Sequence, residues 1–272
     1  MTGALSTAEL DRFAAAGYVA GVPALDATEV HHVRARLMEV YERLEPALQK
    51  YFINLHAVFG WADELIRHPR LVGIAQAVLG PDLFVWKTKA FVKFQGNAHV
   101  PWHQDLPHWN LEPAHAITVW VALSDVTLDN GCVRVVPGTH HAGSRAAVGA
   151  DDDSSLLSAG LRFDVTDDEA ARAEPMLLRA GEVSVHHGMV VHGSGPNTTD
   201  EPRAGIALIY MPAHVRQAST PDHHVVLVSG VDRTGGFYPA DPRPSGSIDE
   251  QFASAATYFG RLRSGEIAYN VR

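Results

Sequence analysis

The stretch Trp102-His103-Gln104-Asp105 sets an imidazole and a carboxylate two residues apart, and another imidazole, His192, stands far downstream. On an extended strand alternate residues face the same way, so His103 and Asp105 can aim at one point. With His192 they would complete a 2-His-1-carboxylate set. Such a set covers one face of a metal and leaves the other positions open, as in non-haem Fe(II) oxygenases. Arg203, eleven residues after His192, adds a planar, permanently charged fork suited to a carboxylate. The pair alone proves little, because in a chain with 16 histidines about one His-x-Asp arises by chance. His192 taken alone reads more readily as a satisfied core histidine. His186 and His187 lie just upstream of it, and His99 and His108 flank the His-x-Asp, as competing ligands. His31, His32, His140, His141, His223 and His224 sit in polar surroundings and read as solvated.

These residues need a scaffold, and the hydrophobic period supplies one. The first 80 residues read as mostly helical. Ser6-x-x-Glu9 is a capping box before Leu10 and Phe13, with Gly17 as the stop. Asp26 and Glu29 open a second helix with Val30, Val33, Leu37, Val40 and Leu44 at helical spacing. A third runs from Trp61 to Leu79 with a break at Pro69. From there the period becomes two. Phe84, Trp86, Thr88, Ala90, Val92 and Phe94 share one face, and Lys87, Lys89 and Lys93 the other. Those lysines read equally as a functional set or as an ordinary charged strand face.

Further strands are predicted over Ile117–Leu123, Cys132–Val136, Val183–Val185, Met189–His192 and Ala204–Met211, and a last helix over Asp249–Leu262. The polar segment 138–174, with Asp151-Asp152-Asp153 inside it, reads as a long loop that covers a site or is merely solvated. Pro221 to Pro244 reads as loop. Helices followed by many short strands predict a mainly β fold with flanking helices, an antiparallel jelly roll (double-stranded β-helix, cupin-like) whose mouth can hold a metal. With no linker or repeat visible, residues 1–272 are expected to form one domain. It has a helical part over 1–80, a jelly-roll core over 83–212 and C-terminal loops and helix over 213–272.

Composition narrows the partners. A net charge of −9 argues against nucleic acid and anionic membranes. No apolar run is long enough to span a bilayer and no signal-peptide pattern opens the chain. Cys132 is the single cysteine, so an internal disulfide is impossible and a reducing cytoplasm fits. It reads as a buried small hydrophobe after Asn130-Gly131. The partner expected is therefore a small molecule, and nothing in the composition sets an oligomeric state.

Taken together, the motifs resemble the phytanoyl-CoA dioxygenase-like family of Fe(II)/2-oxoglutarate-dependent oxygenases. The resemblance runs from about Phe84 to Pro212. It rests on Phe91-Val92-Lys93, Trp102-His103-Gln104-Asp105, Thr118-Val119-Trp120-Val121-Ala122-Leu123, Asn130-Gly131-Cys132, Val136-Pro137-Gly138-Thr139-His140, and His192-Gly193-Ser194-Gly195-Pro196-Asn197 with Arg203. It implies iron ligands at His103, Asp105 and His192. It also implies a grip on the far carboxylate of 2-oxoglutarate by Arg203, help from Ser194, Trp120 along the pocket, and a polar residue on the preceding strand, for which Lys87 is the candidate. With Fe(II), 2-oxoglutarate and O2, the implied reaction is decarboxylation of the co-substrate to succinate and CO2, coupled to attack on a substrate C–H bond. Hydroxylation, desaturation or ring closure follows. Related halogenases carry a small residue where Asp105 stands, so the carboxylate favours oxygenation.

Trp109, His108, Trp102, Asn54 and His56 are candidates to line the substrate side, each with an equally good reading as packing between helix and sheet. Family members act on acyl-CoAs, amino acids, phosphonates, osmolytes, terpenoids and antibiotic sugars. Chain length and acidic balance lean towards a small polar metabolite in specialised or antibiotic biosynthesis. Two other readings compete. A cupin-type isomerase or hydrolase would need more His or Glu ligands near His103 and would leave Arg203 without a task. A catalytically dead binding module would use the same pocket.

Overall fold

Reciprocal caps fix where the helices begin. In α1 (Thr7–Ala16) the Ser6 side chain accepts from the Glu9 backbone while Glu9 reaches back to Ser6, and Gly17 closes the helix at φ 82°. The same capping box opens α2 (Ala27–Arg43) at Asp26 and Glu29. The expected break at Pro69 separates α3 (Gly60–Ile66) from α4 (Pro69–Leu79). Boxes at Thr166/Glu169 and Ser247/Glu250 start α5 (Asp167–Arg172) and α6 (Ile248–Ser264). The computed structural model describes residues 5–146, 148–149, 155–157, 163–217, 224–232, 235, 238–239 and 243–267.

In chain order the strands are β1 (Tyr18–Pro23), β2 (Leu83–Lys93), β3 (Val100–His103), β4 (Leu111–Glu112), β5 (Ile117–Ala122), β6 (Val133–Val136) and β7 (Glu174–Pro175). After them come β8 (Glu182–His187), β9 (Val191–Ser194), β10 (Arg203–Pro212), β11 (Arg216–Gln217), β12 (His224–Ser229) and β13 (Tyr238–Pro239). Among the described residues, a larger sheet runs β1-β8-β5-β10-β2-β12-β13 and a smaller one β3-β9-β6-β7, with β4 and β11 as a separate pair. Apart from the parallel β12/β13 pair, the neighbours are antiparallel. This is the jelly roll expected, with helices on one side of the larger sheet.

Three expectations need correction. Tyr18–Pro23, inside the supposedly helical N-terminal part, is a strand paired with β8, its apolar residues completing the sheet edge. His224–Ser229, expected as loop, pairs with β2. The 138–174 stretch holds a short 3-10 turn (Thr139–Ala142) and α5, while 147, 150–154 and 158–162 lie outside the described residues.

The larger sheet has two unlike faces. Outward, Val85, Ala90, Val92, Val119, Val121, Val185, Ile206, Leu208 and Tyr210 join Leu37, Val40, Ile66, Leu71 and Phe259 of the helices in the main core. Inward, the same strands carry polar groups. β2 changes sides on a bulge: Ile209 pairs with Lys87 but Tyr210 with Val85, leaving Trp86 as the extra residue. Phe84 and Trp86 therefore pack inward with Trp109 and Ile209, not with Ala90 and Val92 as strict alternation predicts.

Candidate active site

His103 and His192 face each other as directly paired residues of β3 and β9, with ring centroids 4.1 Å apart. One ligand atom from each, and one from Asp105, lie within 4.8 Å of one another. Asp105 reaches this point differently from the way its spacing suggests. β3 ends at His103, and Asp105 has helical backbone angles (φ −76°, ψ −55°) at the start of a 3-10 turn. The turn is pinned because the backbone N–H groups of Asp105 and Leu106 both donate to the Gly188 carbonyl, each at 2.9 Å. Gln104 between them is fully buried and points away, donating to the carbonyls of Met189 (2.7 Å) and Gly143 (3.0 Å).

The histidine tautomers are set by the backbone. The Nδ1 of His103 lies 2.9 Å from the Pro101 carbonyl and that of His192 lies 3.0 Å from the Val190 carbonyl. A carbonyl only accepts, so each Nδ1 carries the proton and each Nε2 offers its lone pair inward. Thr118 donates to Asp105 Oδ2 at 3.2 Å. Burial, with His103 and His186 nearby, holds His192 well below the usual imidazole range. Burial alone would raise Asp105, but His192, His103 and His186 outweigh it and keep the carboxyl well below its usual range. A neutral imidazole beside an ionised carboxylate is the protonation state that a divalent cation needs. His103 and His192 are buried and Asp105 nearly so, and the N,N,O donor set suits Fe(II).

The other end of the cavity is cationic. Arg203 is 1% exposed, its guanidinium carbon 5.1 Å from the centre of the Trp120 ring, and its buried Nε has no hydrogen-bond partner among the described residues. Burial lowers its pKa to about 10, which leaves it charged at neutral pH. A buried unpaired donor is costly unless a ligand fills the place, so the group fits an incoming carboxylate. Beside it, Lys93 donates to Ser194 Oγ at 2.7 Å and to the Gly195 carbonyl. Ser194 faces inward with His192, two residues before it on β9. Gly205 makes room for this packing, because a Cβ there would lie 2.1 Å from the Trp120 ring.

The model of the phytanoyl-CoA dioxygenase (PhyH) family matches residues 13–205 of this chain. The chain belongs to that family. The L-proline trans-4-hydroxylase of Streptomyces griseoviridis is 30% identical over 222 residues, covering 72% of this chain and 81% of that enzyme. Among solved structures, the apo form of the non-heme monooxygenase ThoJ superposes with a TM-score of 0.75 at 32% identity, covering 94% of this chain and 97% of ThoJ. The non-heme alpha ketoglutarate dependent carbocyclase SnoK from nogalamycin biosynthesis gives a TM-score of 0.59 at 26% identity, covering 89% and 94%. This family member is an Fe(II)/2-oxoglutarate-dependent dioxygenase that uses O2 and acts on a small molecule. No helix among its described residues is long and apolar enough to cross a membrane.

Of the residues singled out in the sequence of this dioxygenase, His103, Asp105, His192, Arg203, Ser194, Trp120, Lys87 and Trp109 line one cavity. Three do not. Trp102 points to the other side of β3 and packs against Val136, Ala173 and Val191. Asn54 and His56 lie on the outer side of β2. Asn54 donates to the Tyr258 hydroxyl (3.1 Å), and His56 Nδ1 sits 3.1 Å from Thr88 Oγ1, its pKa pushed down by burial to about 3. Both serve helix-to-sheet packing. The His108 side chain lies outside what the structure describes. Cys132 is buried, as expected, in the same apolar cluster as Trp120.

Several lining residues escaped motif reasoning. Thr118 opened the Thr118–Leu123 stretch of the resemblance but was given no role. His186 was one of the competing histidines. It is 2% exposed, its ring centroid is 4.5 Å from that of His192, and its Nε2 is 3.8 Å from Asp105 Oδ2. Lys89 and Lys93 were part of the charged strand face. The burial of all three β2 lysines settles that face as an interior one.

Proposed function

We propose that His103, Asp105 and His192 hold Fe(II), that Arg203 and Ser194 bind the far carboxylate of 2-oxoglutarate against Trp120, and that residues 1–272 work as one oxygenase domain. The reading rests above all on one observation: three ligand atoms from distant parts of the chain converge within 4.8 Å, in a cavity that also holds a buried guanidinium whose Nε has no hydrogen-bond partner among the described residues. Bound there, iron, co-substrate and O2 supply the oxidising power that breaks a substrate C–H bond. The protein's own residues do the positioning. Thr118 restrains the Asp105 carboxylate, the Pro101 and Val190 carbonyls lock the two imidazoles, and Arg203 offers a bidentate, charge-assisted grip that fixes one orientation of a dicarboxylate. Phe91, Val133 and Leu157 wall the cavity and keep water out.

The substrate we assign is a small polar metabolite, oxidised by hydroxylation or oxidative cyclisation in a specialised, antibiotic-type pathway in the cytoplasm. The proline hydroxylase and the nogalamycin carbocyclase support this class. The test is anaerobic titration of the Fe(II)-loaded protein with 2-oxoglutarate, followed by visible absorption, and with O2 the formation of succinate. Asp105→Ala should weaken iron binding by about 100-fold or more. Arg203→Ala should leave iron binding intact and weaken 2-oxoglutarate about tenfold or more. Unchanged iron affinity in Asp105→Ala would end this reading.

A further inference from the structure

The inner face of the larger sheet carries four buried basic side chains, Lys87, Lys89, Lys93 and Arg203. The strand register sets this face out in rows. Lys93 pairs with Arg203, and Phe91 with Gly205. Lys89 pairs with Ala207, which pairs with Trp120. Lys87 pairs with Ile209, which pairs with Thr118. Two strand residues advance about 7 Å, so Lys87 stands about 20 Å along β2 from the Arg203 row. Thr118 bonds Asp105, which puts the ligand set level with Lys87 and Lys89. A diacid reaching from that set to the long Arg203 side chain runs along the sheet away from the Lys87 row.

Lys87 therefore belongs to the opposite, substrate side. It lies two strand spacings, about 10 Å, from Thr118 across β10. Its ammonium is 4.1 Å from the centre of the Trp86 ring and 6.0 Å from that of Trp109. Lys89, beside it, donates to the Leu156 carbonyl at 2.8 Å and has no carboxylate within ion-pair distance among the described residues. Both are at least nine-tenths buried, and burial lowers their pKa values to about 7 and about 8. Asp105 and one end of the co-substrate offset the metal, and Arg203 takes the other end. An anion reaching these ammoniums would meet them between Phe91, Trp109 and Ile209, where low polarity strengthens a charge pair.

Building on the oxygenase reading above, we propose that Lys87, with Lys89 beside it, anchors the substrate. The substrate carries a carboxylate or phosphate that docks on these ammoniums and presents a C–H bond only a few bonds away to the metal centre. This makes Lys87 a specificity residue and not a co-substrate ligand.

The probes are acetate, inorganic phosphate and neutral acetamide. They are titrated at constant ionic strength into the full chain loaded with Ni(II) and 2-oxoglutarate and followed by tryptophan fluorescence, since Trp86 and Trp109 border the site. At least one anion should saturate and acetamide should not, and which anion binds identifies the group. Lys87→Gln should weaken that binding about tenfold or more, while Lys87→Arg retains it, and both variants stay folded and keep the wild-type 2-oxoglutarate affinity. The proposal is overturned if neither anion saturates, if acetamide binds as well as acetate, or if Lys87→Gln costs as much 2-oxoglutarate affinity as Arg203→Ala. Failure of the wild-type protein to bind 2-oxoglutarate at all is a different result. It removes the oxygenase reading itself, and this proposal with it.

Discussion

The two faces of the larger sheet are made by the same strands and solve opposite problems. On β10, Ile206, Leu208 and Tyr210 point out and are covered by helices, whereas Arg203, Ala207 and Ile209 point into the cavity. On β2, Val92 and Ala90 alternate with Lys93 and Lys89. Both faces are buried, yet only one is apolar. Burial on the outer face releases apolar surface from water and stabilises the fold. Burial on the inner face strips water from ammonium, guanidinium and carboxylate groups and costs stability. Alternation by two lets one strand stabilise the fold on one side and hold strained chemistry on the other.

Breaking the outer face should show the largest effect on stability. Leu208 is fully buried in the main core, so Leu208→Ala should lower unfolding free energy by about 2–5 kcal/mol, measured by urea titration. The matching inner change, Lys89→Met, removes a buried charge and should leave the metal-free chain as stable or more so. If both substitutions destabilise equally, the contrast between the faces is wrong. A smaller effect is expected where the faces meet the site. Gly205→Ala puts a methyl 2.1 Å from the Trp120 ring, and ring and strand must part. Overpacking of this kind costs about 1–3 kcal/mol. Because Trp120 backs Arg203, 2-oxoglutarate affinity should fall as well, while iron affinity stays. Isothermal titration with each ligand separates the two, and unaltered co-substrate binding would show that Trp120 does not support Arg203.

How much of this was legible beforehand follows the same division. Local rules acted locally: the helix starts at Ser6 and Asp26, the stop at Gly17 and the break at Pro69 all appear where the residues put them. The cluster of His103, Asp105 and His192 was legible because His-x-Asp and His192 carry chemistry in their types. The reason given for Asp105 was nonetheless wrong, since a turn pinned on Gly188 aims it, not strand alternation. β1 was hidden because Tyr18-Val19-Ala20-Gly21-Val22-Pro23 is short, carries Gly and Pro, and is a strand only by virtue of β8. The bulge at Trp86 left no local mark, so Phe84 and Trp86 were set on the wrong face. Asn54 and His56 looked functional by type, but which side of a sheet a preceding loop packs on is decided by tertiary structure alone.

The smallest expected effect tests the inner face through its protons. Burial lowers Lys93 to about 6, Lys87 to about 7 and Lys89 to about 8, with Arg203 adding to the effect on Lys93 and Asp105 opposing it at the other two. In the unfolded chain all three titrate near the ordinary lysine value of about 10.4. Below about pH 6 both states hold these protons and the cost of the buried charges is at its greatest. Between there and about pH 10 the unfolded chain binds more protons than the folded one, so stability rises with pH. Cys132, Tyr18, Tyr41 and Tyr210, all raised by burial, oppose the trend as the unfolded chain's thiol and phenols begin to ionise between about pH 8.5 and pH 10. The melting temperature of the metal-free chain should therefore climb from about pH 6.5 to about pH 9.5, and Lys87→Met/Lys89→Met should flatten the climb. An equal slope in the double variant would mean that the ammoniums are better solvated than their burial implies. The inner face would then differ from the outer one in composition but not in energy.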